Sequence, residues 1–144
     1  MKQTATIVID RPAGEVFDYV MDIPNDAHWR TSTGVVEAAY TSDPPLGVGT
    51  TGFDRISAGG RDMIAEWQTV EYEPGRLARW EFVSGPLRGF GSYSCEPVDD
   101  STRFTLEANV KPTGPLRLLG PILGIIVRRQ IQADVQKLKS ILES

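Results

Sequence analysis

The chain has one cysteine, Cys95, and one histidine, His28, in 144 residues. A lone thiol can form no internal disulfide, and one histidine with one cysteine cannot build a zinc-type cluster. No metal and no cofactor are therefore expected. The scarcity of cysteine fits a reducing compartment, so a cytoplasmic location is the expectation. Residues 1–10 alternate polar and apolar and lack the apolar run of a secretion signal. The apolar stretch near residues 115–127 falls short of the roughly 20 residues that a bilayer span needs. No transmembrane segment is expected, and the GxxxG formed by Gly120 and Gly124 reads as small residues that let a helix approach a sheet. Basic residues do not dominate: 15 Lys and Arg face 19 Asp and Glu, for a net charge of −4. That argues against a general nucleic-acid binder. Internal repeats, low-complexity tracts and linkers are also missing.

What remains is an ordinary globular composition, 40% apolar and 24% charged. The length predicts a single domain over 1–144 with a core large enough to need no staples. Strand composition appears first at Thr4–Ile9. Pro12, which fits only a helix's first turn, then predicts a short helix capped by Asp10 or Arg11, with Ala13, Val16, Phe17 and Val20 on one face. A second helical turn is expected over Asn25–Arg30. From residue 33 the apolar period becomes two. Runs at Val35–Tyr40, Thr50–Ser57, Arg61–Glu71, Leu77–Val83, Leu87–Glu96 and Thr102–Val110 are separated by tight turns, which predicts an antiparallel meander. Glu73-Pro74-Gly75-Arg76 has the residues of a type II turn.

The C-terminal segment closes the argument. Leu123, Val127, Ile131, Val135, Leu138 and Leu142 recur every three or four residues, the stripe of an amphipathic helix that Pro121 starts or kinks. A long helix that follows only strands must lie on their sheet to bury that stripe. Ile122, Ile125 and Ile126 fall off the stripe and need a second partner: a cavity, a loop, a ligand or another copy in a homodimer. Arg128-Arg129 beside them reads by default as a solvated face, and peripheral contact with anionic lipid headgroups is the alternative.

Candidate site residues follow from alternation. Trp80 and Phe82 share an inward face, as do Phe104, Leu106, Ala108 and Val110. Gly89, Gly91, Tyr93 and Cys95 form another, where the glycines leave room and Tyr93 brings a hydroxyl. A curved sheet over one helix leaves a hollow, and apolar ligands bind in such places. Trp80, Phe82, Tyr93, Phe104, Leu106, Leu123 and Val127 are the expected ligand-lining set, against the plainer reading of a filled core. Catalytic candidates are weak. Glu66 would face inward if Val70 does; a strand bulge would instead turn Trp67 in. His28 has the plainer reading of a helix-end residue beside Trp29. Tyr93 completes the trio. The acids Asp54, Asp62 and Glu66 near Arg55 and Arg61 read as ion pairs on a wet sheet face. Cys95 reads as a small packed residue, and Tyr72 as a turn-side one. Gly47-Val48-Gly49-Thr50-Thr51-Gly52 spells GxGxxG, but prolines precede it and a strand follows. It is rejected as a dinucleotide fingerprint.

Three segments resemble a known superfamily. Ile9-Asp10-Arg11-Pro12-Ala13-Gly14-Glu15-Val16-Phe17-Asp18 is similar to the opening of the START/Bet v 1-like (SRPBCC) proteins, with Trp29 following as expected. Val70-Glu71-Tyr72-Glu73-Pro74-Gly75-Arg76-Leu77 resembles their central strand-turn-strand, and Asp134-Val135-Gln136-Lys137-Leu138-Lys139 their closing helix. Within that superfamily the chain most resembles the small bacterial polyketide cyclase/dehydrase-like proteins. The resemblance covers essentially the whole chain. It implies an α+β helix-grip fold: a curved antiparallel sheet around a long C-terminal helix, with two short N-terminal helices. It further implies a cavity for an apolar small molecule, such as a lipid, a polyketide or an isoprenoid. Some members are cyclases, but the superfamily has no universal catalytic motif, so no catalytic residue transfers. An apolar-ligand binder, a cyclase- or dehydratase-like enzyme and a protein-interaction module all remain open at this point.

Overall fold

A computed structural model describes residues 2–144, with the side chains of Pro115, Leu116 and Leu119 outside the description. Among the described residues, seven strands form one antiparallel sheet: β1 (Lys2–Ile9), β2 (Val35–Tyr40), β3 (Thr51–Ala58), β4 (Arg61–Glu73), β5 (Leu77–Ser84), β6 (Leu87–Val98) and β7 (Ser101–Pro112). Their order is β1-β7-β6-β5-β4-β3-β2. Strands β2 to β7 run as a meander, and β1 joins at the far edge against β7. The helices are α1 (Ala13–Met21), α2 (Asp26–Trp29) and α3 (Gly120–Leu142), with a 3₁₀ turn before each of the last two. The meander is the one that the period change at residue 33 predicts, and the whole is the helix-grip architecture that the resemblance implies.

Local chemistry explains the boundaries. Pro12 itself takes the N-cap position of α1, in extended conformation and with no side-chain cap. Neither Asp10 nor Arg11 caps: the Asp10 carboxylate accepts from Ser101 instead, and its amide donates to Glu143. The α1 stripe of Val16, Phe17 and Val20 is buried as its spacing predicts. Pro121 sits in the first turn of α3, so it starts this helix and does not kink it. In β4 the register shifts at Glu66/Trp67 and again at Thr69/Glu71. Ala65, Trp67 and Thr69 point inward, and Glu66, Gln68 and Val70 point out. The expectation that Glu66 faces inward with Val70 is corrected: the two do share a face, but Ala65, Trp67 and Thr69 take the inner one, and the extra residue in β4 lies beyond Glu66, at Val70.

The core lies between the concave sheet face and the helices. Ile131, Val135 and Leu138 of α3 are buried in it, whereas Leu123, Val127 and Leu142 of the same stripe are only half-buried. The C-terminal half of α3 therefore packs down, and its first half stands over open space.

Candidate functional site

The open space is a hollow of about 280 Å³. Its floor is the inner face of β5, β6 and β7, from Trp80 and Phe82 to Leu106 and Val110. Its roof is the first half of α3, with Leu123, Ile126, Val127 and Ile131. Pro86, Leu87 and Phe90 form the lip on the β5–β6 side. The lining is overwhelmingly apolar because inward positions of three neighbouring strands alternate in phase. A smaller space of about 170 Å³ lies beneath the start of α3, between Gln3, Val110, Lys111 and Leu123.

What Gly91 of β6 leaves room for is a neighbouring side chain at the edge of the hollow. A Cβ on Gly91 would lie 2.4 Å from the Trp80 ring, so the indole itself occupies that place. Gly52 serves Trp67 in the same way, which gives the rejected GxGxxG motif a packing role.

Behind the hollow is a buried polar cluster. Arg30, just after α2, donates through Nη1 to Asp26 Oδ2 and to Asp54 Oδ2, both at 3.2 Å. The Tyr93 hydroxyl donates to Asp26 Oδ2 at 2.9 Å, and Trp67 Nε1 donates to Asp54 Oδ1 at 3.1 Å. These residues enclose a chamber of about 20 Å³, enough for one water molecule. Arg30 and Trp80 line both this chamber and the hollow, so they form the wall between the two. Trp80 Nε1, Arg30 Nε and Asp26 Oδ1 are buried and have no partner among the described residues. Tyr93 is wrapped by rings, with centroids at 4.7 Å to Trp80, 5.6 Å to Trp29 and 5.8 Å to Phe104.

The electrostatics follow from burial. Burial raises the Asp26 carboxyl to about 7, against the opposing pull of Arg30 and with further help from Asp54. Burial works against the charge on Arg30, but Tyr93, Asp54, Asp26 and Asp134 outweigh it and hold the guanidinium firmly protonated. Burial also pushes the Tyr93 hydroxyl well up, and the Cys95 thiol up to about 12. Cys95 is thus a poor nucleophile that packs as a small apolar group. Near Arg30, Asp134, buried in α3, accepts from the Ser32 and Thr33 amides at 2.9 and 3.3 Å. It also accepts from the Thr33 hydroxyl at 2.5 Å. This contact ties α3 to the α2–β2 connection.

The sequence-predicted residues distribute unevenly. Trp80, Phe82, Leu106, Leu123 and Val127 line the hollow. Tyr93 lines the small chamber behind it, and Phe104 is fully buried core between Trp29 and Tyr93. Glu66 is exposed on the outer face, where Ser84 Oγ donates to it. His28 is exposed on α2, away from both spaces. Tyr72 packs half-buried against Phe17. Asp54 is corrected most sharply: it is buried and paired with Arg30, while the wet-face pairs belong to Arg55 with Glu37 and Asp62. Asp26, Arg30 and Asp134 are site residues that sequence reasoning missed. A signal existed for two of them: Asp26 lies three residues before the inward Trp29, and Asp26 and Arg30 are an i, i+4 pair. Among the described residues no group of three or more His, Cys, Asp and Glu side chains is placed to hold a metal ion. Among them, too, no helix is long and apolar enough to cross a membrane.

Comparison with known proteins supplies the family. Residues 1–143 match the family described as polyketide cyclase / dehydrase and lipid transport. Comparison with curated proteins returns no match. Among solved structures, a START superfamily protein from Mycobacterium smegmatis aligns with TM-score 0.83 at 13% identity, over 99% of this chain and 97% of that one. A protein from Thermus thermophilus aligns with TM-score 0.80 at 16% identity, over 99% and 97%. The ZhuI aromatase/cyclase from a Streptomyces species aligns with TM-score 0.79 at 14% identity, over 99% and 93%. At such identities these likenesses establish the fold.

Proposed function

The chain belongs to the polyketide cyclase / dehydrase and lipid transport family, and on that premise we propose that it binds a hydrophobic small molecule in the hollow under α3. The observation that carries the reading is the hollow itself: about 280 Å³, apolar, and roofed by the half of α3 that does not pack down. It falls just below the roughly 300–1,000 Å³ typical of small-molecule sites, so a small ligand fits. Burying about 200 Å² of ligand apolar surface there would contribute about 5 kcal/mol before ordering costs. Arg30 and Trp80 at the inner wall give the ligand's deeper end a polar neighbour, so a mostly apolar molecule with one oxygen function fits best.

Native mass spectrometry of the purified chain, followed by solvent extraction, tests this directly. A co-purifying apolar adduct is the expected result. Nile red titration should show saturable binding, weakened about 10-fold or more in Val127→Trp, which fills the roof side with about 2 kcal/mol of misplaced volume. Absence of both an adduct and Nile red binding, or an unchanged titration in the filled variant, would overturn the reading.

A cyclase- or dehydratase-like activity is the second reading. It is favoured by Asp26, whose carboxyl titrates near neutrality in contact with the Tyr93 hydroxyl. Turnover of a β-keto thioester that is lost in Tyr93→Phe, with Nile red binding kept, would support it. No turnover by the parent chain would sink it.

A further inference from the structure

The roof of the hollow has an outer surface that ligand binding does not use. Ile122 and Ile125 are 58% and 59% exposed, Ile126 is 43% exposed, and Leu118 in the preceding 3₁₀ turn is 89% exposed. Single exposed apolar residues are ordinary, but four on one short segment form a patch. Charge is segregated around it. Four of the chain's 15 basic residues and none of its 19 acidic ones lie between Ala108 and Ala133. That stretch therefore carries +4 and the remainder of the chain −8. Arg117, Arg128 and Arg129 are exposed and make no ion pair or hydrogen bond with any described residue. Elsewhere Arg11, Arg30, Arg55, Arg76, Arg79 and Arg103 each sit beside a carboxylate, and only Arg61, in the β3–β4 hairpin, is exposed without one among the described residues outside the two lips of the hollow. Arg88 adds a further exposed cation at the opposite lip of the hollow, beside Leu87.

We propose that this face, from Leu118 to Arg129, docks on an anionic lipid surface, with Ile122 and Ile125 entering the interface and Arg117, Arg128 and Arg129 meeting headgroup phosphates. Long basic side chains beside an apolar helix stripe suit that boundary, since their stems lie along apolar surface while their charges stay wet. The charge pattern selects this occupant over a second copy of the chain. A two-fold dimer through the isoleucines would set the unpaired arginines of one copy against those of the other. It also selects anionic over neutral lipid, because a net-negative protein has no general attraction to an anionic surface and depends on this local +4. Ile126 belongs to both surfaces: it is exposed in the patch and it lines the hollow. Docking would thus bring the mouth of the hollow against the bilayer, where an apolar ligand could pass without crossing water.

Sedimentation of the full-length chain with vesicles tests the proposal. Phosphatidylcholine vesicles containing phosphatidylglycerol should retain it, and pure phosphatidylcholine vesicles should not. Raising salt from about 0.1 M to about 1 M, which shortens the Debye length from about 10 to about 3 Å, should release it. The double variant Arg128→Gln/Arg129→Gln should bind about 30-fold more weakly, at the usual contribution of two basic residues near an anionic surface. Ile125→Glu should not bind at all. Both variants alter exposed positions outside the hollow, so their circular dichroism and Nile red titrations without vesicles should match the parent's. That separates failure of docking from failure of ligand binding. Equal retention by neutral vesicles, indifference to salt, or no retention by anionic vesicles would overturn the proposal. So would a dimer in analytical ultracentrifugation that Ile125→Glu dissolves, since the face would then belong to a second copy.

Discussion

The two ends of the space between sheet and helices are built on opposite plans. At the inner end, side chains from α2, β3, β4 and β6 join Arg30 in one buried hydrogen-bond network. At the outer end, the first half of α3 lies over a hollow with apolar residues half-exposed on both its sides. The inner end is a set of mutually dependent contacts around one small chamber. At the outer end the apolar side chains of α3 are only partly buried, and low local opening energies are expected of such regions. A binding protein needs both: a rigid wall that defines the site and a looser wall that admits the ligand.

The sharpest test of this contrast is Arg30→Met. Arg30 is the shared cationic partner of two buried carboxylates, and removal of one member of such a set leaves uncompensated buried charge. A loss of about 3–5 kcal/mol in urea unfolding is expected, comparable to the roughly 2–5 kcal/mol for Leu138→Ala at the packed end of α3. If Arg30→Met unfolds at the parent's urea midpoint, the inner end is not a rigid wall.

The next effect is a pH dependence. The folded-state pKa of Asp26 is raised to about 7, above its unfolded value of about 4. The folded chain therefore binds this proton more tightly. The associated stability is complete below about pH 4 and is lost as pH rises through about 7. From about pH 5 to about pH 7 the loss amounts to about 2 kcal/mol. Asp134, also raised by burial, acts in the same direction. Denaturant unfolding at the two pH values should show the decline in the parent and a flatter response in Asp26→Asn. A parent whose stability rises over that interval would contradict the assignment.

The fold was legible in the sequence because two periods carry it. Alternation placed Trp80, Phe82 and Leu106 inward, and the spacing of three and four placed Ile131, Val135 and Leu138 on the sheet. The same rule would have turned Asp54 inward with Ile56, two residues on, had its charge not suggested a wet face. Glu66 was unreadable for a different reason: β4 carries apolar residues on both faces, Ala65 and Trp67 on one and Ile64 and Val70 on the other, so alternation alone does not say which face is inner. The polar cluster was hidden because Asp26, Arg30, Asp54 and Tyr93 come from separate parts of the chain. Alternation says which way each points but not that they meet. The hollow was legible in kind but not in place, since it depends on how far the first half of α3 stands from the sheet. The glycines of β6 signalled room but not its occupant: the space beside Gly91 is filled by the indole of Trp80 on the neighbouring strand.

An intermediate effect belongs to the tie between α3 and the α2–β2 connection. Thr33→Val removes a hydroxyl that donates to the buried Asp134 carboxylate while keeping the shape of the side chain. The two amide donors from Ser32 and Thr33 remain. A cost of about 1–2 kcal/mol is expected, the range for one hydrogen bond to a charged or partly charged acceptor. Hydrogen exchange should show faster opening of the Arg30–Gly34 amides in this variant. Unchanged exchange there would mean that Asp134 only fills space.

The smallest expected effect is the most diagnostic of the outer end. Leu123 and Leu138 occupy the same stripe of one helix, and sequence alone gives them equal weight. Leu138 is fully buried, whereas Leu123 is half-buried and lines both the hollow and the space beneath the start of α3. Truncation of a side chain that already borders open volume creates little new cavity and removes few contacts. Leu123→Ala should therefore cost under about 1 kcal/mol, against about 2–5 kcal/mol at Leu138. The same substitution should weaken Nile red binding, since it removes apolar wall from the ligand's side. A Leu123→Ala cost equal to that of Leu138→Ala would mean that the first half of α3 is packed down in solution, and the roof would then have no hollow beneath it.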